Sequence, residues 1–228
     1  MSELRLVVFD VDGTLIDSQE FILEAFALAF DRSGLQPLPR DQVLSIVGLS
    51  LVEAVQVLVP DLNEREAQEV AQLYKQSFID LRAQKGGEGA APLYAGARDL
   101  LETLHEQPET LLGVATGKAR RGLDHAYQAH GIGHFFTTHQ TADDHPSKPH
   151  PSLLERALSE TGTDARNGVM IGDTEFDIRM GAAAGMRTIA VDWGYHPEER
   201  LRASEPDHYV HDFIELRQLL AEIEERIA

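Results

Sequence analysis

Four polar clusters in the sequence contain the residue types that bind metal ions and phosphate groups. They are Asp10-Val-Asp-Gly-Thr-Leu15, Thr116-Gly-Lys118, Lys148 within Ser-Lys-Pro-His-Pro151, and Gly172-Asp-Thr-Glu-Phe-Asp177. If Asp10, Asp12 and Asp173 lie close together, their carboxylates repel one another unless a cation sits among them. Hard oxygen ligands favour Mg²⁺, which takes one or two carboxylates together with water and substrate phosphate. The clusters therefore predict a magnesium site.

The other polar groups in these clusters suit a phosphate ligand. Lys148 supplies a fixed positive charge, Thr116 a hydroxyl donor, and Gly13 and Gly117 exposed backbone amides. In such a cradle one carboxylate can attack phosphorus to give an aspartyl-phosphate, while a second carboxylic acid protonates the leaving oxygen. This chemistry requires that distant parts of the chain meet.

Predicted strands precede all four clusters and explain how the clusters could meet. The short apolar segments are Leu4 to Phe9, Leu111 to Ala115, Phe135 to Thr138 and Gly168 to Ile171. In an open α/β sheet, ligands bind beyond the carboxyl ends of the strands. The clusters are therefore expected to converge on one edge of a sheet.

The rest of the chain divides into two patterns. Residues 17 to 84 show only helical spacing, with predicted helices over Asp17 to Ser33, Arg40 to Val47, Leu51 to Val59 and Glu64 to Ala83. Gly86 to Pro92 is predicted to be a flexible connection. Strands and helices then alternate up to a terminal helix at Phe213 to Ile227. The predicted fold class is α/β, a doubly wound parallel sheet with an inserted all-helical domain. Its expected boundaries are 1–16 and 92–228 for the α/β core, and 17–91 for the helical insertion.

Composition and charge exclude several classes of protein. The 228 residues are 43% hydrophobic, and 20 Lys and Arg against 38 Asp and Glu give a net charge of −18 at pH 7. Such a chain is expected to avoid nucleic acid and anionic membranes. The absence of cysteine excludes disulfides and cysteine nucleophiles. With neither a signal peptide nor a membrane-spanning run in the sequence, a cytoplasmic location is expected.

Taken together and in order, the four clusters resemble the four motifs of the haloacid dehalogenase superfamily. The helical insertion resembles the cap of the phosphoglycolate-phosphatase-like branch, as do Tyr94-Ala-Gly-Ala-Arg-Asp-Leu-Leu101 and Trp193-Gly-Tyr-His196. The resemblance covers essentially the whole chain. By itself, the pattern Asp-x-Asp-Gly-Thr is expected by chance in roughly one chain of this length in a thousand.

The resemblance implies roles for the catalytic residues. Asp10 would be the nucleophile and Asp12 the general acid/base. Thr116 and Lys148 would hold the transferring phosphoryl group, with Lys148 also keeping Asp10 ionised. The family often has asparagine after the threonine, where this chain has Gly117. Glycine keeps the backbone amide and loses only a possible side-chain contact.

The resemblance also implies a set of metal ligands. Asp10 and Asp173 would bind Mg²⁺ directly, and Asp12 would contribute its backbone carbonyl. Asp177 would lie near the metal and Lys148, either in direct contact or through water.

A further candidate lies inside the helical insertion, at Gly48-Leu-Ser50. This segment opens a predicted helix, and a helix start can bind an anion. In related caps this region faces the substrate. A plain N-cap at Ser50 explains the same residues equally well.

The expected function is Mg²⁺-dependent hydrolysis of a small phosphate monoester, phosphoglycolate-like or a sugar phosphate, through an aspartyl-phosphate. A phosphomutase of the β-phosphoglucomutase type is the first alternative, but Ile16 to Glu20 lacks the His-Lys element of those enzymes. A haloacid dehalogenase is disfavoured because those enzymes lack a carboxylate at the position of Asp12. A non-catalytic phosphoryl-binding regulatory module is disfavoured because no motif is missing. The expected partner is a small phosphorylated metabolite, and the sequence leaves monomer and homodimer open.

Overall fold

A six-stranded parallel sheet forms the centre of the molecule, in a computed structural model that describes residues 4–85 and 91–227. The strand order is β3-β2-β1-β4-β5-β6. The strands are β1 (Arg5–Phe9), β2 (Thr110–Thr116), β3 (Thr138–Thr141), β4 (Gly168–Gly172), β5 (Arg187–Val191) and β6 (His208–Val210). The predicted doubly wound α/β fold is confirmed.

The alternating side chains of β1 explain why it lies at the centre of the sheet. All five of its residues are buried. Val7 and Phe9 belong to the hydrophobic cluster on one face of the sheet, and Leu6 and Val8 to the cluster on the other. A strand that is apolar on both faces requires helices on both sides, as parallel sheets have.

Helices cover both faces of the sheet. They are α5 (Ala97–His105), α6 (Arg120–His130), α7 (Ser152–Thr161), α8 (Glu175–Ala183), α9 (Glu198–Ala203) and α10 (Phe213–Ile227). Leucines of α5 and α10 join the cluster that contains Val7, whereas leucines of α7 join the cluster that contains Leu6.

The helical insertion, called the cap below, has a hydrophobic core of its own. It contains α1 (Gln19–Ser33), α2 (Arg40–Leu44), α3 (Leu51–Leu58) and α4 (Glu64–Gln84). Phe26 and Phe30 of α1 pack in one cluster with Val55 of α3 and Val70 of α4. Gly34 ends α1 in the left-handed conformation, as its place after the apolar pattern predicts.

The chain crosses between core and cap at two adjacent points. Ile16 and Leu93 form an antiparallel bridge between the outgoing and returning segments. The amide of Asp17 donates to the carbonyl of Pro92 at 2.9 Å, and the amide of Tyr94 to that of Leu15 at 3.0 Å. Most of the predicted connection at Gly86 to Pro92 falls on residues 86–90, outside the described residues.

The predicted strand at Phe135 to Thr138 was wrong. Gly133–Phe135 is a 3-10 turn, and β3 begins only at Thr138. Its polar side chains can be buried because Thr138 and Gln140 both donate to the carboxylate of Glu160 in α7, at 2.6 and 2.7 Å. Because the strand itself is polar, a prediction from apolar residues placed it too early, on Phe135 and Phe136. The helix predicted over Arg40 to Val47 also ends earlier, at Leu44.

Candidate active site

The predicted convergence of the polar clusters is confirmed at the carboxyl edge of the three central strands. Asp10 follows β1, Thr116 ends β2 and Asp173 follows β4. Because β1 lies between β2 and β4, these three side chains start from neighbouring strands. Lys148 reaches them from the loop after β3, a position at the sheet edge where ligands of α/β folds bind.

Lys148 forms a buried ion triplet with two aspartates. Its Nζ donates to Oδ1 of Asp10 at 2.8 Å and to Oδ1 of Asp177 at 2.6 Å, and its side chain is fully buried. Burial alone would lower the pKa of Lys148, but the charges of Asp10 and Asp177 outweigh this effect and raise it above its usual value. The ammonium group therefore stays charged.

Asp10, Asp173 and Asp177 form a cluster of buried carboxylates. Each offers an oxygen atom that lies within 4.8 Å of the others. Burial raises the pKa of Asp10 to about 6, against the opposing effect of Lys148. Burial and the charges of Asp10 and Asp177 raise the pKa of Asp173 well above its usual value. Three carboxylates beside one ammonium group carry a formal charge of −2 when ionised, which a divalent cation would balance.

Two further residues hold Asp173 in place. Oγ1 of Thr14 donates to its Oδ1 at 2.8 Å, and the amide of Tyr195 to its Oδ2 at 2.9 Å. Two glycines pack closely against Asp173. A Cβ atom at Gly13 would lie 2.2 Å from Oδ2 of Asp173, and a Cβ atom at Gly194 would lie 2.1 Å from the Cβ atom of Asp173. These residues stand within the sequence motifs, but no role in holding Asp173 was predicted for them.

Asp177 is positioned by the start of α8. The hydroxyl and the amide of Thr174 donate to its Oδ2 at 2.6 and 3.1 Å. The amide of Asp177 donates back to Oγ1 of Thr174 at 3.3 Å, which completes a capping box. The other oxygen, Oδ1, contacts Lys148. The spacing Thr-x-x-Asp is a sequence signal for this box, although no capping role was predicted for Asp177.

Asp12 lies apart from the carboxylate cluster. Its Oδ1 accepts a short hydrogen bond from the hydroxyl of Ser18, and its Oδ2 pairs with Nζ of Lys118 at 2.9 Å. The amide of Ser18 in turn donates to the hydroxyl of Tyr195 at 2.9 Å. Nζ of Lys118 also lies 5.4 Å from the ring centroid of Phe78 in α4. Lys118 belongs to the cluster Thr116-Gly-Lys118, but no function was predicted for it.

The cap loop 48–50 packs against the core beside the site. The amide of Ser50 donates to Oγ of Ser147 at 2.8 Å, and the Ser50 side chain makes no capping hydrogen bond. Gly48 adopts a φ of 102°. A Cβ atom at Gly117 would lie 2.5 Å from the carbonyl oxygen of Gly48. The missing side chain at Gly117 is thus what lets the loop approach.

Gly13 does not offer its amide to a ligand, contrary to expectation. The amide donates to the carbonyl of Ile16 at 2.9 Å, which closes the turn after β1. The backbone groups of a tight turn must be hydrogen-bonded, and here the amide of Gly13 is used for that purpose. The role of Gly13 is conformational, because its φ of 90° and its contact with Asp173 both require glycine.

A cavity of about 580 Å³ lies between the core and the cap. Asp10, Asp12 and Thr116 line it from the core, and Gly48 and Ser50 from the cap. Its volume is that of a site for a small molecule. Within the ranges 4–85 and 91–227, no helix has the length and apolar character needed to cross a membrane.

Comparison with known proteins identifies the family of this fold and site. Residues 7–191 match the model of the family described as haloacid dehalogenase-like hydrolase. A probable phosphatase IndB of Dickeya dadantii is 33% identical over 92% of this chain and 91% of its own length. Pyrophosphatase PpaX of Bacillus pumilus is 32% identical over 90% and 91%.

Solved structures share the fold. A predicted phosphoglycolate phosphatase from Haemophilus somnus superposes with a TM-score of 0.83, at 23% identity over 96% of this chain and 99% of that one. A putative β-phosphoglucomutase from Bacteroides vulgatus has a TM-score of 0.81, at 23% identity over 99% and 90%. Since the family match covers most of the chain, the protein belongs to the haloacid dehalogenase-like hydrolases, as its motifs predicted, and is an enzyme.

Proposed function

We propose that the protein is a Mg²⁺-dependent phosphatase that hydrolyses a small phosphate monoester through an aspartyl-phosphate on Asp10. The observation that carries this proposal is the buried ion triplet of Lys148 with Asp10 and Asp177, in which Asp10 also lines the cavity. A buried nucleophile, a fixed cation and a nearby carboxylic acid are the groups that phosphoryl transfer needs. The phosphatase and pyrophosphatase names of its relatives support the same class of reaction.

The buried carboxylates fit a magnesium ion. Asp10 and Asp173 would hold it, together with the backbone carbonyl of Asp12, and Asp177 would lie beside it. The formal charge of −2 on the ionised cluster and its raised carboxylate pKa values favour a divalent cation. When bound, the ion neutralises negative charge on the phosphoryl oxygens.

In the first step Asp10 attacks phosphorus with the carboxylate oxygen that does not contact Lys148. A bond forms between phosphorus and this oxygen, and the bond from phosphorus to the ester oxygen breaks. Asp12 gives its proton to the leaving oxygen, so that an alcohol departs rather than an alkoxide. Lys148 holds Asp10 ionised for the attack.

In the second step water cleaves the aspartyl-phosphate. Asp12, now ionised, takes a proton from the water as it attacks phosphorus, and the bond from phosphorus to Asp10 breaks. Inorganic phosphate leaves and Asp12 is protonated again. Thr116, Lys148 and the amide of Gly117 are proposed to hold the phosphoryl oxygens in both steps.

We propose residues 17–91 as a cap domain and residues 1–16 with 92–228 as the catalytic domain. The separate hydrophobic core of the cap and its paired crossings at Ile16 and Leu93 support this division. Closure of the cap would exclude water until the leaving group has departed. The proposed partner is a small phosphorylated metabolite, in the cytoplasm.

Replacing Asp10 tests the proposed nucleophile. Asp10→Asn is expected to lower turnover more than about 10³-fold, because the amide is a poor nucleophile and forms no acyl phosphate. Phosphate release is measured with Mg²⁺ on a panel containing phosphoglycolate, sugar phosphates, nucleotides and pyrophosphate. Circular dichroism checks that the fold persists, and the exposed Asp61→Asn serves as the matched control.

Substantial phosphate release by Asp10→Asn would contradict the nucleophile assignment. Isomerisation of a hexose phosphate by the unchanged protein, with no release of phosphate, would identify a mutase. Binding without any turnover would identify the non-catalytic module.

A further inference from the structure

The connection after β5, residues 193–196, packs against the carboxyl edge of the sheet. Nε1 of Trp193 donates to the carbonyl of Thr14 at 3.1 Å. The amide of Tyr195 donates to Oδ2 of Asp173 at 2.9 Å. These two hydrogen bonds attach the connection to the turn that follows β1 and to the carboxylate that follows β4.

The same connection contacts the cap at two places. The amide of Ser18, the residue before α1, donates to the hydroxyl of Tyr195 at 2.9 Å. Nε2 of His196 lies 3.1 Å from the carbonyl oxygen of Ser45, the residue after α2. Because Tyr195 and His196 are consecutive, one peptide unit separates the residue that holds Asp173 from the residue that holds the cap.

The hydrogen bonds of His196 fix the position of its ring proton. The amide of Glu175, at the start of α8, donates to Nδ1 of His196 at 3.2 Å. A backbone amide can only donate, so the proton of the neutral ring lies on Nε2, which donates to the carbonyl of Ser45. Burial, and then the charge of Arg200, lower the pKa of His196 to about 4. The contact with the cap is therefore a directed hydrogen bond from a buried, neutral ring.

Arg200 of α9 supplies a second donor to the same carbonyl. Its Nη1 donates to the oxygen of Ser45 at 3.2 Å, and its Nε donates to Oε1 of Glu175 at 3.1 Å. The ring of Phe176 lies beside both donors, with its centroid 5.3 Å from that of His196 and 5.9 Å from Cζ of Arg200. One cap carbonyl thus receives two hydrogen bonds from side chains that are themselves held by α8.

The cap segment that follows Ser45 forms part of the cavity wall. Residues 46–52 all line the cavity. Within this segment, the amide of Ser50 donates to Oγ of Ser147 in the core at 2.8 Å. The segment is therefore attached to the core on both sides of Gly48, and a displacement of Ser45 would move this part of the wall.

We propose that residues 193–196 and Arg200 form a latch that holds the cap segment 46–52 against the core, with His196 and Arg200 as positioning residues for this wall of the cavity. The inference goes beyond the proposed function and rests on it only for the expected change in KM. Since His196 and Arg200 touch no group proposed to act on phosphorus, their loss is expected to weaken substrate binding and to leave the chemical steps unchanged.

A double variant removes both side-chain donors to Ser45. In His196→Phe, Arg200→Met an aromatic ring and an aliphatic chain remain, and the hydrogen bonds are lost. The matched control is His139→Phe, Arg202→Met, whose side chains pair within the core and do not line the cavity.

Hydrogen exchange of the Ser50 amide measures the attachment of the segment without any need for turnover. Exchange is expected to be about tenfold or more faster in the double variant, because the segment loses one of its two attachments to the core. In the control variant, and at the amides of β1 in both variants, exchange should match that of the unchanged protein. His196→Gln keeps Arg200 and a side-chain amide that can donate to Ser45, so its exchange should stay within about threefold.

Steady-state kinetics on the phosphate ester that is hydrolysed best gives the second readout. In the double variant KM is expected to rise about fivefold or more, with kcat within about twofold of the unchanged protein. Residues with only a structural role would instead lower the melting temperature and leave KM unchanged.

The inference is overturned if the Ser50 amide exchanges no faster in the double variant, or if the amides of β1 accelerate by the same factor. It is also overturned if the segment loosens while KM stays the same. Faster exchange confined to the segment, in a protein that hydrolyses none of the phosphate esters tested, would support the latch and contradict the proposed function.

Discussion

At the scale of single residues, Lys148 balances part of the negative charge of the buried carboxylates. Its ammonium group contacts Asp10 and Asp177 while Asp173 lies beside them, and all four side chains are buried. An unpaired buried carboxylate is costly, whereas a matched one keeps both its charge and its position. One lysine thus positions the proposed nucleophile and holds together the acidic cluster proposed to bind the metal.

Removing this charge is expected to affect stability as well as turnover. In Lys148→Met, Asp10 and Asp177 lose their buried partner, so the free energy of unfolding without Mg²⁺ should fall by about 3–5 kcal/mol. Turnover should fall more than about 10²-fold, because the phosphoryl oxygens and Asp10 lose the same cation. Urea unfolding and phosphate release measure the two effects.

The surface pair of Lys85 with Glu24 offers the matched control. Both side chains are more than a third exposed, so Lys85→Met should change the free energy of unfolding by less than about 1 kcal/mol. Equal stability of the two variants would show that the triplet does not hold the site together.

At the scale of elements, the cap loop 48–50 is what brings the helical insertion onto the active site. It contacts Gly117 at the end of β2 and Ser147 in the loop that carries Lys148. A second attachment lies at Ser45, whose carbonyl accepts from Nε2 of His196 at 3.1 Å and from Arg200 at 3.2 Å. Cap and core are thus joined through backbone groups on both sides of Gly48.

A side chain at position 117 is expected to keep this loop away from the core. In Gly117→Ala the new Cβ atom would meet backbone oxygens of Gly48 and Leu49 at 2.5 and 2.7 Å, and backbone cannot move aside cheaply. KM should rise about tenfold or more, with little change in melting temperature. Steady-state kinetics and thermal unfolding test this.

Ser147→Ala removes a weaker contact to the same loop. It is expected to raise KM in the same direction by a smaller factor, since one neutral hydrogen bond contributes about 1 kcal/mol. An unchanged KM in Gly117→Ala would show that contact between this loop and the core does not matter for substrate binding.

The whole molecule carries a charge that opposes its proposed substrate. At −18 it repels anions at long range, although salt screens this repulsion beyond about 8–10 Å. At the site, Lys148 beside Asp10 and the proposed Mg²⁺ act at contact distance, where they outweigh the distant charges. Much of the negative charge lies on exposed helix surfaces, such as the start of α4.

Metal removal is expected to weaken phosphate binding. Without Mg²⁺ the carboxylate cluster repels phosphate, so the affinity for inorganic phosphate should fall more than about tenfold when EDTA replaces Mg²⁺. Calorimetry measures this, and Asp173→Asn should weaken the binding seen with Mg²⁺. Tight phosphate binding by the metal-free protein would contradict the proposed metal site.

The predicted helices and strands were confirmed where the local hydrophobic pattern agreed with the tertiary packing. The spacing of apolar residues fits one type of element only in β1, in Gly168–Gly172 and in the cap helices. The structure has these elements within a few residues of the prediction. The prediction of β3 was wrong because Thr138 and Gln140 are buried by a partner 20 or more positions away, Glu160. No local pattern contains that partner.

For the site, the sequence by itself determined which residue types stand at the ends of the strands and in what order. This was sufficient for the family, the carboxylate cluster and Lys148, because parallel strands must bring their carboxyl ends to one edge. Only the tertiary structure showed that the amide of Gly13 is hydrogen-bonded within its own turn and that Lys118 pairs with Asp12. The same holds for the cationic side chains of α4 and α6, which line the cavity between core and cap. Those facts depend on how the cap lies on the core, which is fixed by contacts between residues far apart in the chain.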